Sequence, residues 1–215
     1  MYNVLYIVNC PVQYNEHCTV HCKVFTNTLY ILKIKCEKNC INVQAWAICT
    51  ADGCGVHFEP YCGRHTNVVD AGLGQGPNVV LDLVQKVQLP AGCEVFFDNL
   101  FTTFPLLDKL SEMGIAGTGT VRQNRLFKVP IASKKDVIKK SVERGFQETL
   151  YKGDQVLACW KDNQPVYVAS NKYSAERTNT VGRFCRTERK KIQVKSSRSI
   201  KRKLVFATNS NVLIF

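Results

Sequence analysis

Asp98 follows the apolar run Val95-Phe96-Phe97 and precedes Asn99 and a helix-prone stretch. Ligand and metal sites of open α/β sheets gather at strand ends of this kind. A carboxylate held there can bind Mg²⁺ and contribute to a two-metal phosphoryl-transfer centre. It can equally cap the turn into the following helix, with Asn99 beside it. Thiols form a second set of candidate ligands. Cys18-xxx-Cys22 and Cys36-xxx-Cys40 are matched pairs, with His17 and His21 beside the first. Thiolates and imidazoles are good Zn²⁺ ligands. Three intervening residues are a looser signature than two, however, and no turn glycine separates either pair, which favours ordinary buried thiols over a zinc site.

Basic residues are the third candidate set. Eleven Lys or Arg lie between Arg177 and Lys203 against Glu188 alone, which places ten of the chain's twelve net positive charges in one segment. Within it, Arg186, Arg189, Lys190, Lys191 and the run Lys201-Arg202-Lys203 can contact phosphates or act as a nuclear-import signal. A solvated tail is the alternative reading. The segment lacks interleaved aromatics, so base stacking is not expected. DNA binding through it is expected to be weakly sequence-specific and to fall steeply with salt. Arg122, Arg125 and Lys128 form a second possible phosphate contact, or simply a polar loop.

The composition narrows the class of protein that carries these groups. Among 215 residues, 45% are hydrophobic and 21% charged, which argues against wholesale disorder and is enough for a sizeable core. No apolar run approaches the ~20 residues that span a bilayer. The opening Met1–Val8 is apolar but short, and it has neither a basic lead-in nor a small-residue cleavage site. Eleven cysteines, eight of them in the first 62 residues, are an odd total that argues against a disulfide scaffold. Reduced thiols in the cytosol or nucleus are expected, and the basic clusters favour the nucleus.

The elements that must position Asp98 are legible from residue 43 onward. Val43–Cys49 and Gly55–Cys62 read as strands joined by the turn Ala51-Asp52-Gly53. A glycine-rich loop through Gly72–Pro77 leads to Asn78, a candidate cap for a helix with Val79, Val80, Leu83 and Val84 at helical spacing. Cys93–Phe97 reads as a short strand. Thr102 or Thr103 starts a second helix bearing Leu106, Leu107 and Leu110, and Gly114 stops it. Ile115–Val121 is the next strand, and Gln155–Trp160 with Pro165–Ser170 forms a further hairpin. Residues 1–42 lack glycine and clear turn signals, although Val24-Phe25 and Thr28–Ile34 are β-prone. A hairpin followed by strand–helix–strand units predicts a mixed α/β sheet flanked by helices, an order that suits a ribonuclease-H-like fold as well as other α/β sheets.

The stretch Val95–Leu107 resembles the "FDNFFTS…LL" block of piggyBac-type transposases, and Gly114–Arg125 resembles their following "G…ATGT.R.NR" block. Phe58–Tyr61, Gly72–Gly74 and Val79–Leu81 are similar to the "Y.G…GLG…VV..L" stretch, and Arg144-Gly145, Trp160-Lys161-Asp162 and Val181–Val194 continue in order. The resemblance covers residues 43 to 194. It implies a core in which three Asp residues hold two divalent ions, with Mg²⁺ as cofactor and DNA as substrate. Asp98 matches the second of these residues. The first belongs on the opening strand, yet no Asp occurs from Met1 to Ala51. The third belongs in a "GGVD" block, yet no Asp occurs from Asn163 to Phe215, where Glu176 and Glu188 lack the family's neighbours. Two-metal catalysis needs several anionic ligands to hold the ions ~4 Å apart, so the expectation is a transposase-derived chain without transposition chemistry. The organisation expected is a divergent Cys-rich segment at 1–42, a partial catalytic domain at 43–176 and a basic tail at 177–215. A zinc-dependent binding module and a non-functional transposon remnant are the alternatives.

Overall fold

The structure, a computed structural model, describes residues 28–36, 43–51, 54–126, 128–139, 141–161, 164–174, 178–185 and 190–197. Its elements in chain order are β1 (Thr28–Cys36), β2 (Val43–Thr50), β3 (Gly55–Pro60), α1 (Gln75–Lys86), β4 (Glu94–Phe97), α2 (Phe104–Glu112) and β5 (Ala116–Thr120). They continue with the single-turn α3 (Lys134–Ile138), β6 (Gln147–Lys152), β7 (Gln155–Lys161), β8 (Pro165–Ser170), β9 (Thr178–Cys185) and β10 (Lys190–Ser197).

Eight strands form one sheet in the order β3-β2-β1-β4-β5-β8-β7-β6. β1 pairs antiparallel with β2, and β2 with β3, while β4 lies parallel to both β1 and β5. The β6–β7–β8 meander closes antiparallel onto β5. This is the mixed sheet that the order of sequence elements predicts, with β1 as an addition. The sheet draws on Thr28–Cys36, upstream of the expected domain start at residue 43. The β-prone stretch Thr28–Ile34 forms most of this strand, and its β-branched and aromatic content suits an interior position.

Alternation along the strands sorts the apolar residues onto two faces. On one, Leu29, Ile31, Trp46, Ile48, Val95 and Phe97 share a core with Val79, Val80 and Leu83 of α1, Leu106, Leu107 and Leu110 of α2, and Val137 of α3. On the other, Phe96, Val156, Ala158, Trp160 and Val168 form a second buried cluster. There Glu94 of β4 binds Lys172 as an ion pair and accepts from the Tyr173 hydroxyl at 2.5 Å, which ties the exit of β8 to the start of β4.

α1 begins four residues earlier than the pattern predicts, with its N-cap at Gly74 in place of Asn78. Gly74, at φ 88°, supplies the N-cap, and Pro77 falls in the first turn, where no N–H is lost. Asn78 therefore lies inside the helix, and its side chain serves the preceding loop. Its Oδ1 accepts from the amides of Ala71 and Leu73, both at 3.3 Å, and its Nδ2 donates to Asp70 at 2.6 Å. One turn on, buried Asp82 accepts from Val69 N at 3.2 Å and pairs with Lys86 at 2.8 Å. Lys86 also reaches Glu59 of β3 and the Asn67 carbonyl, each at 2.6 Å. Burial pulls the Lys86 ammonium down, but its bonds to Asp82 and Glu59 outweigh this and hold it above the usual lysine value.

α2 follows its sequence signals. Thr103 caps it, accepting from Leu106 N at 3.3 Å, and Gly114 at φ 70° ends it. β9 and β10 pair antiparallel, with Lys190 opposite Cys185 and Lys191 opposite Phe184, so the segment expected as a tail contains a hairpin. Thr178, Thr180 and Val181, with Ile192 and Val194, supply strand propensity that the run of charge conceals.

Candidate functional site

β4 is buried along its whole length, and its last residue hands the chain directly to Asp98, which is exposed. Asp98 folds the turn that follows. Its Oδ1 accepts from Leu100 N at 2.6 Å, and its carbonyl accepts from Thr102 Oγ1 at 2.8 Å and from the amides of Phe101 and Thr102. This is the turn-forming role left open by the sequence, and it leads straight to the Thr103 cap of α2.

Two glycines of β5 let this turn sit close to the sheet. A Cβ on Gly119 would overlap Thr102 Oγ1 and the Phe97 ring, and one on Gly117 would press into Leu107 and Leu110 of α2. Gly76 does the same for α1, whose first turn passes against the Leu100 carbonyl. The sequence signal was present, since glycine within a strand often marks close approach of another backbone.

Arg122 and Arg125, expected to contact DNA phosphates, bind the turn itself. Arg125 donates from Nη2 to Leu100 O at 2.9 Å and from Nη1 to Thr102 O. Arg122 Nε donates to Asn99 Oδ1 at 2.6 Å. Partial burial, then the Arg122 charge, lower the Arg125 guanidinium from its ordinary value, while Asp98 raises it. Both side chains remain largely exposed, so each keeps an open side toward solvent. A cleft of about 300 Å³, lined by Thr102–Pro105, Val121, Arg125 and Ala169, lies next to them.

Among the described residues the donor set does not fit a two-ion centre. β1 runs parallel to β4 as far as the pair Ile31 and Phe97, the residue just before Asp98. β1 carries no Asp or Glu at all. No group of three His, Cys, Asp or Glu gathers to hold a metal among the described residues. A single carboxylate, with one oxygen already committed to Leu100 N, leaves Mg²⁺ with most of its hydration shell.

The remaining candidates divide as follows. Cys18, Cys22, Cys40, His17 and His21 lie outside the described residues, as do Arg186, Arg189, Lys201, Arg202, Lys203, Glu176 and Glu188. Cys36 ends β1, and Lys190 and Lys191 open β10. Lys128 is exposed just beyond the 3₁₀ turn Gln123–Leu126.

The family described as Transposase IS4 matches residues 5–208, a longer span than the motif blocks indicate and one that includes β1. PiggyBac transposable element-derived protein 3 of Homo sapiens is 36% identical over 172 residues, covering 79% of this chain and 27% of that protein. PiggyBac transposable element-derived protein 2 of Homo sapiens is 29% identical over 160 residues, covering 72% of this chain and 26% of that protein. This chain thus spans about a quarter of the length of these relatives. Among solved structures, a piggyBac transposase synaptic complex with hairpin DNA shares the fold at a TM-score of 0.58 and 18% identity, over 87% of this chain and 39% of the other. Neither the structure nor these relatives support the zinc-binding module.

Proposed function

The chain belongs to the piggyBac-type transposase family, and from that premise we propose that it is a transposase-derived DNA-binding protein without strand-cleaving chemistry. The family implies use of a divalent metal. The observation that supports the reading is on β1, which runs parallel to β4 with Ile31 opposite Phe97 and has no carboxylate along its length. Asp98 is retained as the organiser of a turn, and Mg²⁺ is not productively bound.

DNA as partner is supported by the family and by the exposed guanidinium groups of Arg122 and Arg125 at the end of the sheet. Arg186, Arg189, Lys190, Lys191 and Lys201–Lys203 add a sequence-independent charge that fits a nuclear protein. Binding through such groups is weakly sequence-specific and loses affinity steeply between about 50 and 200 mM salt.

The test uses the purified chain, duplexes ending in transposon terminal repeats, and Mg²⁺ or Mn²⁺. Salt-sensitive mobility shifts without nicking are expected. Nicking that Asp98→Ala abolishes would overturn the catalytic part of the reading, and absence of any shift at low salt would overturn the DNA partner.

A further inference from the structure

Outside Arg177–Lys203 the chain carries a net charge of only +2, but that charge is not evenly spread. Residues 122–146 contain eight Lys or Arg against Asp136 and Glu143 alone, a net +6, which leaves the rest of this body at −4. The described residues of this basic stretch connect the end of β5 to the start of β6. The stretch leaves β5, makes the 3₁₀ turn Gln123–Leu126, and is anchored by buried Leu126 and Val137. The Tyr167 hydroxyl of β8 donates to Ala132 O at 2.7 Å, and Glu148 of β6 accepts from Ala132 N at 2.7 Å. These bonds fix the course of the segment across the sheet end.

Between the 3₁₀ turn and the start of α3 runs a groove of about 450 Å³, lined by Gln123, Asn124, Leu126, Val129, Ser133 and Tyr167. In chain order Arg122 and Arg125 flank the first of these lining residues, Lys128 falls between Leu126 and Val129, and Lys134 and Lys135 follow Ser133 directly. The acids nearest this groove are already engaged. Asp136 binds Lys139 at 2.7 Å and Ser133 Oγ at 2.6 Å, and Glu148 is held by Ala132 N. Lys139 is therefore locally neutralised. Lys128, Lys134 and Lys135 are exposed and make no ion pair among the described residues. Tyr167 is buried with its hydroxyl occupied, so the groove offers no aromatic face for an unstacked base.

We propose that Lys128, Lys134 and Lys135 form a second phosphate-contact surface, joined through this groove to Arg122 and Arg125, that carries the backbone of duplex DNA. The proposal rests on the DNA-binding reading above and extends the contact away from the strand end that holds Asp98. Its partner follows from charge complementarity. Unpaired ammonium groups release condensed counterions from a duplex, and each phosphate contact adds about 0.9 to the salt dependence of binding.

The test compares the full chain with the triple variant Lys128→Ala, Lys134→Ala, Lys135→Ala, and with Lys139→Ala, on a mixed-sequence duplex from about 50 to 200 mM salt. Circular dichroism confirms that each variant is folded. The triple variant is expected to show a log affinity–log salt slope shallower by about 2 to 3 and an affinity lower by about tenfold or more. Lys139→Ala is expected to leave both nearly unchanged. Wild-type binding with an unaltered slope in the triple variant overturns this inference and leaves the DNA reading standing. An equal per-residue loss on removing Lys139 overturns the assignment to the three unpaired lysines. A wild-type chain that does not bind at the lowest salt overturns the DNA reading and the inference together.

Discussion

Arg125 holds two carbonyl oxygens, Leu100 O and Thr102 O, that belong to the turn after β4 and to no helix or strand. Peptide oxygens of this kind need partners if the turn is to keep its shape. Hydrogen bonds to a charged donor contribute about 1.5–3 kcal/mol each in favourable settings, and partial exposure of Arg125 reduces that. Arg125→Ala is expected to cost about 1–2 kcal/mol in urea denaturation. Arg125→Lys keeps the charge but cannot fork to both oxygens. It should therefore restore the salt dependence of DNA binding while leaving most of the stability loss, and equal recovery of both would sink the positioning role. Both readings of this residue use the same guanidinium, with one edge on the turn and the other toward solvent. The sequence marked Arg125 as basic and Asp98 as a strand-end carboxylate. The turn carbonyls bound by Arg125 lie 23 and 25 residues away in the chain, a distance that no spacing rule spans.

At the scale of elements, the signals that worked are those with local causes. The Thr103 cap, the Gly114 stop and the hairpin of β7 and β8 each depend on neighbours within a few residues. The start of α1 was misplaced at Asn78, because an Asn beside an apolar run satisfies the cap pattern whether it bonds the helix or, as here, the loop before it. β9 and β10 were hidden for a different reason, since a high density of basic charge reads as a tail even where β-branched residues alternate through it. Gly117 and Gly119 make the packing of β5 against the Asp98 turn and α2 testable. Gly119→Ala drives a methyl group into Thr102 Oγ1 and Phe97, and is expected to lower stability by about 3 kcal/mol. Gly182→Ala in β9 meets open space and should stay within about 0.5 kcal/mol of wild type. Chemical denaturation of the pair checks this, and equal effects would refute the close approach.

At the scale of the whole molecule, β1 is the element on which the sheet depends. It joins the antiparallel β2–β3 hairpin to the parallel strands β4 and β5 and brings Leu29 and Ile31 into the main core. Removing residues 1–42 leaves β2 and β4 without their shared neighbour and exposes two rows of unpaired backbone groups. The shortened chain is expected to be insoluble, or compact with bound hydrophobic dye and no near-ultraviolet dichroism. A soluble, cooperatively unfolding product would show that the sheet closes without β1.

Composition, strand and helix periodicity and the motif blocks around Asp98 determined the family and the general α/β architecture, because all of them are written in short stretches of chain. They also show that residues 1–51 and 163–215 hold no Asp, which is a property of the sequence itself. Tertiary structure decided which strand runs beside β4, through a register between strands more than sixty positions apart. It also decided which charges are spent within the fold and which face solvent. Lys139 and Lys135 look alike in sequence, and only the placement of Asp136 distinguishes them. Long-range pairing and local neutralisation depend on distances through space, and these exist only once the chain is folded.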